Sequence, residues 1–218
     1  MRYEAFKGCK WLRPNYSFKP NPLRGIACVP ALRLHAFAAT ARVGLTQALD
    51  GRPTTPRIMR RQLTLFLPTE QRSFVEPIRQ KLDPQQHALI PAHVTLCRDD
   101  ELANWQIINQ RLSSLGDFAI TMQFGQPQVL PDGCVLLRPT SGTEQYQDLR
   151  KSILGPSANV HGAHLTLLHP RNAAGVTYDL LEIASSLAGL AATFSTIALI
   201  EQDDSEPWLV QQAYGTAI

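Results

Sequence analysis

The chain has 218 residues, of which 44% are apolar and 18% charged, a composition typical of globular proteins. No apolar run approaches the roughly 18 residues that a membrane-spanning helix needs, which argues against a membrane protein. The four cysteines are scattered and form no C-x-x-C pair, so a zinc site or redox motif is not indicated, and we expect a reducing, cytoplasmic setting.

The formal net charge of +3 combines two parts of opposite sign. Residues 1–61 contain 12 Lys or Arg against two acids, a balance of +10, whereas residues 62–218 contain 9 against 16, a balance of −7. The overall basicity therefore does not indicate binding to nucleic acid.

Residues 1–61 are interrupted by prolines and show weak apolar periodicity. We expect a poorly ordered, basic N-terminal extension. A basic arm that contacts RNA and an Arg-rich targeting peptide are the functional alternatives. Met59 directly precedes the first predicted strand, which leads to the hypothesis that translation starts at Met59.

From residue 62 onward the apolar periodicity is regular and predicts a folded domain over 62–218. Alternating or β-branched runs predict strands, and apolar residues three and four apart predict helices. In chain order the predicted elements are strand 62–67, helix 69–82, strand 88–96, helix 102–115, strands 118–124 and 134–137, helix 143–154, strand 160–168, helix 178–190, and strands 194–201 and 208–212.

The second half of this domain repeats the first. LFLPT at 65–69 resembles LLRPT at 136–140, and AHVTL at 92–96 resembles AHLTL at 163–167, both at an offset of 71 residues. Phe-led strands follow at 118 and 194. The pattern predicts a duplicated β-α-β-α-β-β unit, with repeats at about 62–132 and 133–214. We therefore expect a bilobal α+β fold with pseudo-two-fold symmetry, in which two antiparallel-rich sheets flank a central cleft and the helices lie outside.

Each repeat carries one His-x-Thr motif within a predicted strand. Because side chains alternate along a strand, His93 and Thr95 share one face, as do His164 and Thr166. One such motif alone is usually structural, but two copies in equivalent places suggest a shared site. Two imidazoles across a cleft can act as general base and general acid on a phosphodiester, and the hydroxyls can bind its oxygens. This chemistry needs no metal.

The segments PAHVTL and GAHLTL, the lead-in QLTLFLPTEQ and the duplicated layout resemble the 2H phosphoesterase superfamily. Within it they look most like the branch of 2′-5′ RNA ligase or RNA 2′,3′-cyclic phosphodiesterase proteins, over about residues 62–214. The resemblance implies a bilobal fold and hydrolysis of cyclic nucleotide or RNA-end phosphates without a cofactor. It also implies that His93 and His164 are the catalytic acid–base pair and that Thr95 and Thr166 bind phosphate.

Arginines near the predicted strand ends are candidates for substrate binding. Arg98 and Arg171, with Arg138, could supply a local positive field, and a solvated loop charge is the equal alternative for each. Three aromatic residues could stack a base but more often belong to the core: Trp105, Trp208 and Tyr146. Strand alternation turns His161 and His169 away from the motif face.

The sequence thus predicts a metal-independent cyclic phosphodiesterase that acts on 2′,3′-cyclic phosphate ends of RNA or on small cyclic nucleotides. The net acidity of residues 62–218 favours such small targets over long duplexes. The alternatives are reversible 2′-5′ RNA ligation at the same site and a non-catalytic protein that binds RNA or nucleotides. We expect a monomer with no membrane partner.

Overall fold

The computed structural model describes residues 59–215. The expected poorly ordered extension covers residues 1–61; of these, residues 1–58 lie outside the described residues, as does the question whether translation starts at Met59. The first strand begins at Met59, three residues before the predicted start of the folded domain.

The described chain folds into strands and helices that follow one another in nearly the predicted order. The strands are β1 (Met59–Phe66), β2 (His93–Cys97), β3 (Ile120–Val129), β4 (Val135–Ser141), β5 (Leu165–Leu168), β6 (Ala191–Phe194), β7 (Thr196–Asp203) and β8 (Leu209–Gly215). The helices are α1 (Thr69–Leu82), α2 (Pro84–Leu89), α3 (Trp105–Ser113), α4 (Thr143–Leu154) and α5 (Leu180–Ser186), with single 3₁₀ turns at Asp99–Glu101 and Pro170–Asn172.

The strands form an antiparallel sheet in the order β6-β3-β4-β5-β2-β1-β7-β8. Its centre is the β5/β2 pair, flanked by β4 and β1 and then by β3 and β7, so the order is symmetric about the motif strands. The α+β class is confirmed. The two predicted sheets are halves of one sheet, joined where Val94 pairs with Leu165.

Helices α1 and α4 follow equivalent strands and have the predicted bounds. Each presents an apolar stripe to the core, with Val75 and Leu82 buried on α1 and Leu149 and Ile153 buried on α4. Burying each such side chain stabilises the fold by about 1.5–3 kcal/mol. This packing holds the helices against one face of the sheet and leaves the opposite face of the central strands for the motif side chains.

Two predicted strands begin later than expected. The strand predicted at 88–96 is preceded by helix α2, because Pro84 occupies the first helical turn and the Asp83 side chain caps it by accepting from the Gln86 backbone N–H at 2.9 Å. The strand predicted at 160–168 is formed only from Leu165.

A third predicted strand, at 194–201, is divided between β6 and β7.

No helix among residues 59–215 is long and apolar enough to cross a membrane.

Candidate active site

The two His-x-Thr motifs lie side by side at the centre of the sheet. Strands β2 and β5 run antiparallel, and Val94 is paired with Leu165. Extending this register by one residue in each direction places His93 opposite Thr166 and His164 opposite Thr95. The structure therefore brings all four predicted motif residues together.

These four side chains occupy the face opposite the core. Val94 and Leu165 are fully buried, whereas His93, Thr95, His164 and Thr166 are half-buried. The two histidines are diagonal neighbours in the register, a relationship that separates side chains by about 7–8 Å. Both imidazoles and both hydroxyls therefore lie on one face of two adjacent strands.

Both histidines are held by the same local hydrogen bond. His93 Nδ1 lies 2.7 Å from the carbonyl oxygen of Pro91, and His164 Nδ1 lies 3.0 Å from that of Gly162. A carbonyl can only accept, so Nδ1 carries the proton and donates in each case. The remaining nitrogen, Nε2, is the atom that can take up or deliver a proton.

Burial keeps both imidazoles uncharged at neutral pH. Loss of solvent, together with the positive charge of Arg79 and the proximity of His164, lowers the pKa of His93 to about 4. The pKa of His164 is also lowered by burial, and Arg138 and His161 add to the shift. Two neutral imidazoles can both accept a proton, and a bound anion favours protonation of one of them.

The loop that leads into His93 is anchored by a buried arginine. Arg79 on α1 is 2% exposed and donates to the carbonyl oxygen of Ile90 at 2.9 Å. It also donates to Glu76 at 2.7 Å, and the other carboxylate oxygen of Glu76 accepts from the Ala92 backbone N–H at 2.6 Å. The backbone on both sides of Pro91 is therefore fixed, and with it the carbonyl that orients His93.

Arg150 on α4 is the counterpart of Arg79 and is 1% exposed. It donates to the carbonyl oxygens of Leu96 and, at 3.0 Å, Asn159, and to the carboxylate of Glu101 at 2.5 Å. Leu96 belongs to the first motif strand, and Asn159 lies in the loop that leads to the second motif. Arg150 thus ties both motif segments to one helix.

Sequence reasoning missed this pair of arginines, although a signal was present. Arg79 and Arg150 are 71 residues apart, the same offset that relates the two motifs. Both fall on the predicted buried face of an amphipathic helix, where an unpaired arginine is rarely tolerated. The 71-residue offset, together with an arginine on the buried face of each helix, would have identified them.

The other predicted binding residues lie at the ends of the motif strands. Arg98 follows β2, and its side chain donates to Asp100 at 2.7 Å. Arg171 lies in the 3₁₀ turn after β5, and its Nε donates to His169 Nδ1 at 3.1 Å. Their roles in substrate binding stay predictions. Tyr146 is 1% exposed, and its hydroxyl donates to the carbonyl oxygen of Thr95 at 2.7 Å, which makes it part of the support beneath the site.

The comparisons with known proteins identify the fold. Neither a protein-family model nor a curated protein sequence matches the chain. Among solved structures, E. coli LigT complexed with phosphate is similar over 73% of this chain and 98% of the LigT chain, with a TM-score of 0.50 and 13% sequence identity. The chain has the fold of LigT.

Other solved structures are similar over comparable lengths. E. coli LigT complexed with 3′-AMP matches at 14% identity, covering 73% of this chain and 99% of its own, with a TM-score of 0.49. A structure described as a phosphoesterase matches at 13% identity, covering 74% and 100%, with a TM-score of 0.46. The similarity to phosphate-bound LigT, at a TM-score of 0.50, agrees with the fold that the motif resemblance implied.

Proposed function

We propose that the protein is a metal-independent phosphodiesterase that hydrolyses 2′,3′-cyclic phosphates, either at RNA ends or in small cyclic nucleotides. One observation carries the proposal. His93 and His164 each donate from Nδ1 to a backbone carbonyl, and within residues 59–215 no hydrogen bond occupies Nε2 of either, on the face they share with Thr95 and Thr166. This arrangement provides two proton-transfer groups and two hydroxyl donors around one phosphate.

The reaction follows from this arrangement. One neutral imidazole accepts a proton from water through Nε2, and the water oxygen forms a bond to phosphorus. The bond from phosphorus to the 2′ or 3′ oxygen breaks, and that oxygen receives a proton from Nε2 of the other, protonated imidazole. The threonine hydroxyls donate to the non-bridging oxygens, on which negative charge is held in the transition state.

The low pKa values favour catalysis over binding alone. A site that only bound phosphate would be served best by charged donors, whereas burial keeps His93 and His164 neutral at pH 7. The known LigT structure with phosphate shows that this fold can hold that anion in another protein. The first point supports an acid–base role for the histidines, and the second supports phosphate as a ligand.

Reversible 2′-5′ RNA ligation at the same site is the second candidate, because the 5′ hydroxyl of a second RNA can replace water as the nucleophile. It loses its proton to one imidazole and bonds to phosphorus, while the bond from phosphorus to the 3′ oxygen breaks and that oxygen receives a proton from the other imidazole. Hydrolysis is favoured, since water is abundant and ligation must hold two RNA ends in register. An assay that includes an RNA with a free 5′ hydroxyl end would reveal the ligated product.

The test is turnover of a 2′,3′-cyclic mononucleotide and of an oligonucleotide with a cyclic phosphate end, in the presence of a chelator. The wild-type protein should hydrolyse at least one, and His93→Ala and His164→Ala should each lose most of the activity. The matched control is His87→Gln, which removes a half-buried imidazole on α2 and keeps an amide donor near Glu76, 3.7 Å from His87 Nε2. The proposal fails if wild type binds these ligands without turning them over, or if either motif variant keeps near wild-type activity.

A further inference from the structure

The two motif histidines have different neighbours on their outer strands. On one side, Phe66 of β1 is paired with His93, and their ring centroids lie 6.2 Å apart in an edge-on arrangement. On the other side, Leu136 and Leu137 of β4 are paired with Thr166 and Leu165. The next pair in that register is Arg138 opposite His164. The strand registers therefore place an aromatic ring opposite His93 and a guanidinium opposite His164.

Arg138 lies close to the second histidine. A Cβ on Gly162 would lie 3.1 Å from Arg138 Nη1, and the carbonyl of the same glycine holds His164 Nδ1. The absence of a side chain at Gly162 thus leaves room for the guanidinium beside the imidazole. The proximity is also seen in the pKa of His164, which Arg138 lowers further after the effect of burial.

The guanidinium of Arg138 is available for a ligand. Its side chain is exposed, and within residues 59–215 no carboxylate forms an ion pair with it. Arg98, by comparison, is paired with Asp100 at 2.7 Å. Burial lowers the pKa of both motif histidines, so before an anion binds they supply little positive charge at pH 7. Arg138 is therefore the cation best placed to balance the charge of a phosphate between them.

We propose that Arg138 binds the non-bridging phosphate oxygens on the His164 side and that Phe66 forms the wall for the nucleoside on the His93 side. The inference rests on the proposed function and extends it to the orientation of the substrate. A guanidinium matches phosphate oxygens with two parallel N–H donors, and an aromatic ring packs against a base or ribose. The broken symmetry of the site then selects one binding direction for a nucleoside cyclic phosphate.

The test uses inorganic phosphate and a 2′,3′-cyclic mononucleotide as separate probes, with affinity for each measured by calorimetry or competition. Arg138→Gln should weaken phosphate binding by roughly 10- to 100-fold, the effect of losing charged hydrogen bonds. Arg138→Lys should recover part of the loss, because it restores charge without the planar donors. Lys81→Gln, which removes an exposed charge paired with Glu182 at 3.5 Å, is the control.

Phe66→Leu separates the two halves of the inference. It should leave phosphate affinity within twofold of wild type and raise KM for the cyclic mononucleotide several-fold, with kcat changed less. Thermal unfolding of each variant verifies that it is folded. A wild type that binds no phosphate, or Arg138→Gln with unchanged phosphate affinity, overturns the Arg138 assignment. Equal weakening of both probes by Phe66→Leu overturns the orientation. A wild type that binds phosphate but hydrolyses no cyclic phosphate contradicts only the proposed function.

Discussion

Replacing Arg150 by Met should destabilise the protein strongly. Arg150 is 1% exposed and is paired with Glu101, whose side chain is 9% exposed, at 2.5 Å. Burial alone would raise the pKa of Glu101, but the hydrogen bond and charge of Arg150 outweigh it and lower that pKa. Methionine removes the guanidinium from this carboxylate, which keeps the Arg98 backbone N–H at 2.9 Å and His161 Nε2 at 3.3 Å, and it removes a donor from the carbonyls of Leu96 and Asn159.

The expected size follows from these contacts. Removing one member of a buried ion pair costs about 3–5 kcal/mol. A domain of this size has a total stability of about 5–15 kcal/mol, so the variant loses a large fraction of it. At about 2–4 °C per kcal/mol, the unfolding temperature should fall by roughly 6–20 °C.

Urea unfolding followed by circular dichroism measures this loss. The control is Lys151→Met on the same helix, whose pair with Asp148 at 3.4 Å is exposed and should contribute no more than about 1 kcal/mol. Adding Glu101→Gln to Arg150→Met should recover part of the stability, because it removes the carboxylate charge that has lost its guanidinium. A loss below about 1 kcal/mol for Arg150→Met would refute the view that this arginine anchors the motif segments.

Three further predictions concern other parts of the molecule. Gly142→Ala should destabilise far more than Gly175→Ala. Both glycines have positive φ, but of the two only Gly142 would place its new Cβ against a backbone oxygen, that of Thr121; similar unfolding midpoints would contradict this. Cys97 should resist iodoacetamide in the folded protein, since burial raises the pKa of its thiol to about 12. Peptide mapping that finds Cys97 alkylated without denaturant would contradict this. The maximum of kcat/KM should lie below pH 6.5. Burial lowers the pKa of both His93 and His164 in the free protein, and activity falls once the pH exceeds the higher of the two pKa values. A maximum above pH 7.5 would contradict this.

Much of the fold could be predicted because the chain repeats itself. Helices at 69–82 and 143–154 have strong amphipathic patterns, and the structure has them with those bounds. Helix α2 was missed because Ala88–Ile90 also suits a strand, and the choice was decided by Pro84 and the cap from Asp83. Apolar periodicity alone does not decide between a helix and a strand over so short a segment.

The candidate site was predictable in its motif residues but not in their surroundings. Strand alternation places His93 with Thr95 and His164 with Thr166, whereas the pairing of β2 with β5 depends on long-range contacts. The same holds for Arg138, whose position beside His164 follows from the β4/β5 register. Single-strand patterns carry no information about which strands become neighbours.

The most direct test of the paired mechanism compares His93→Ala, His164→Ala and the double variant in hydrolysis of a 2′,3′-cyclic mononucleotide. Groups that act as one acid–base unit are strongly non-additive, so the double variant should be no slower than the slower single variant. If the two losses multiply in the double variant, or if one single variant stays near wild type, the two histidines do not act together on one phosphate.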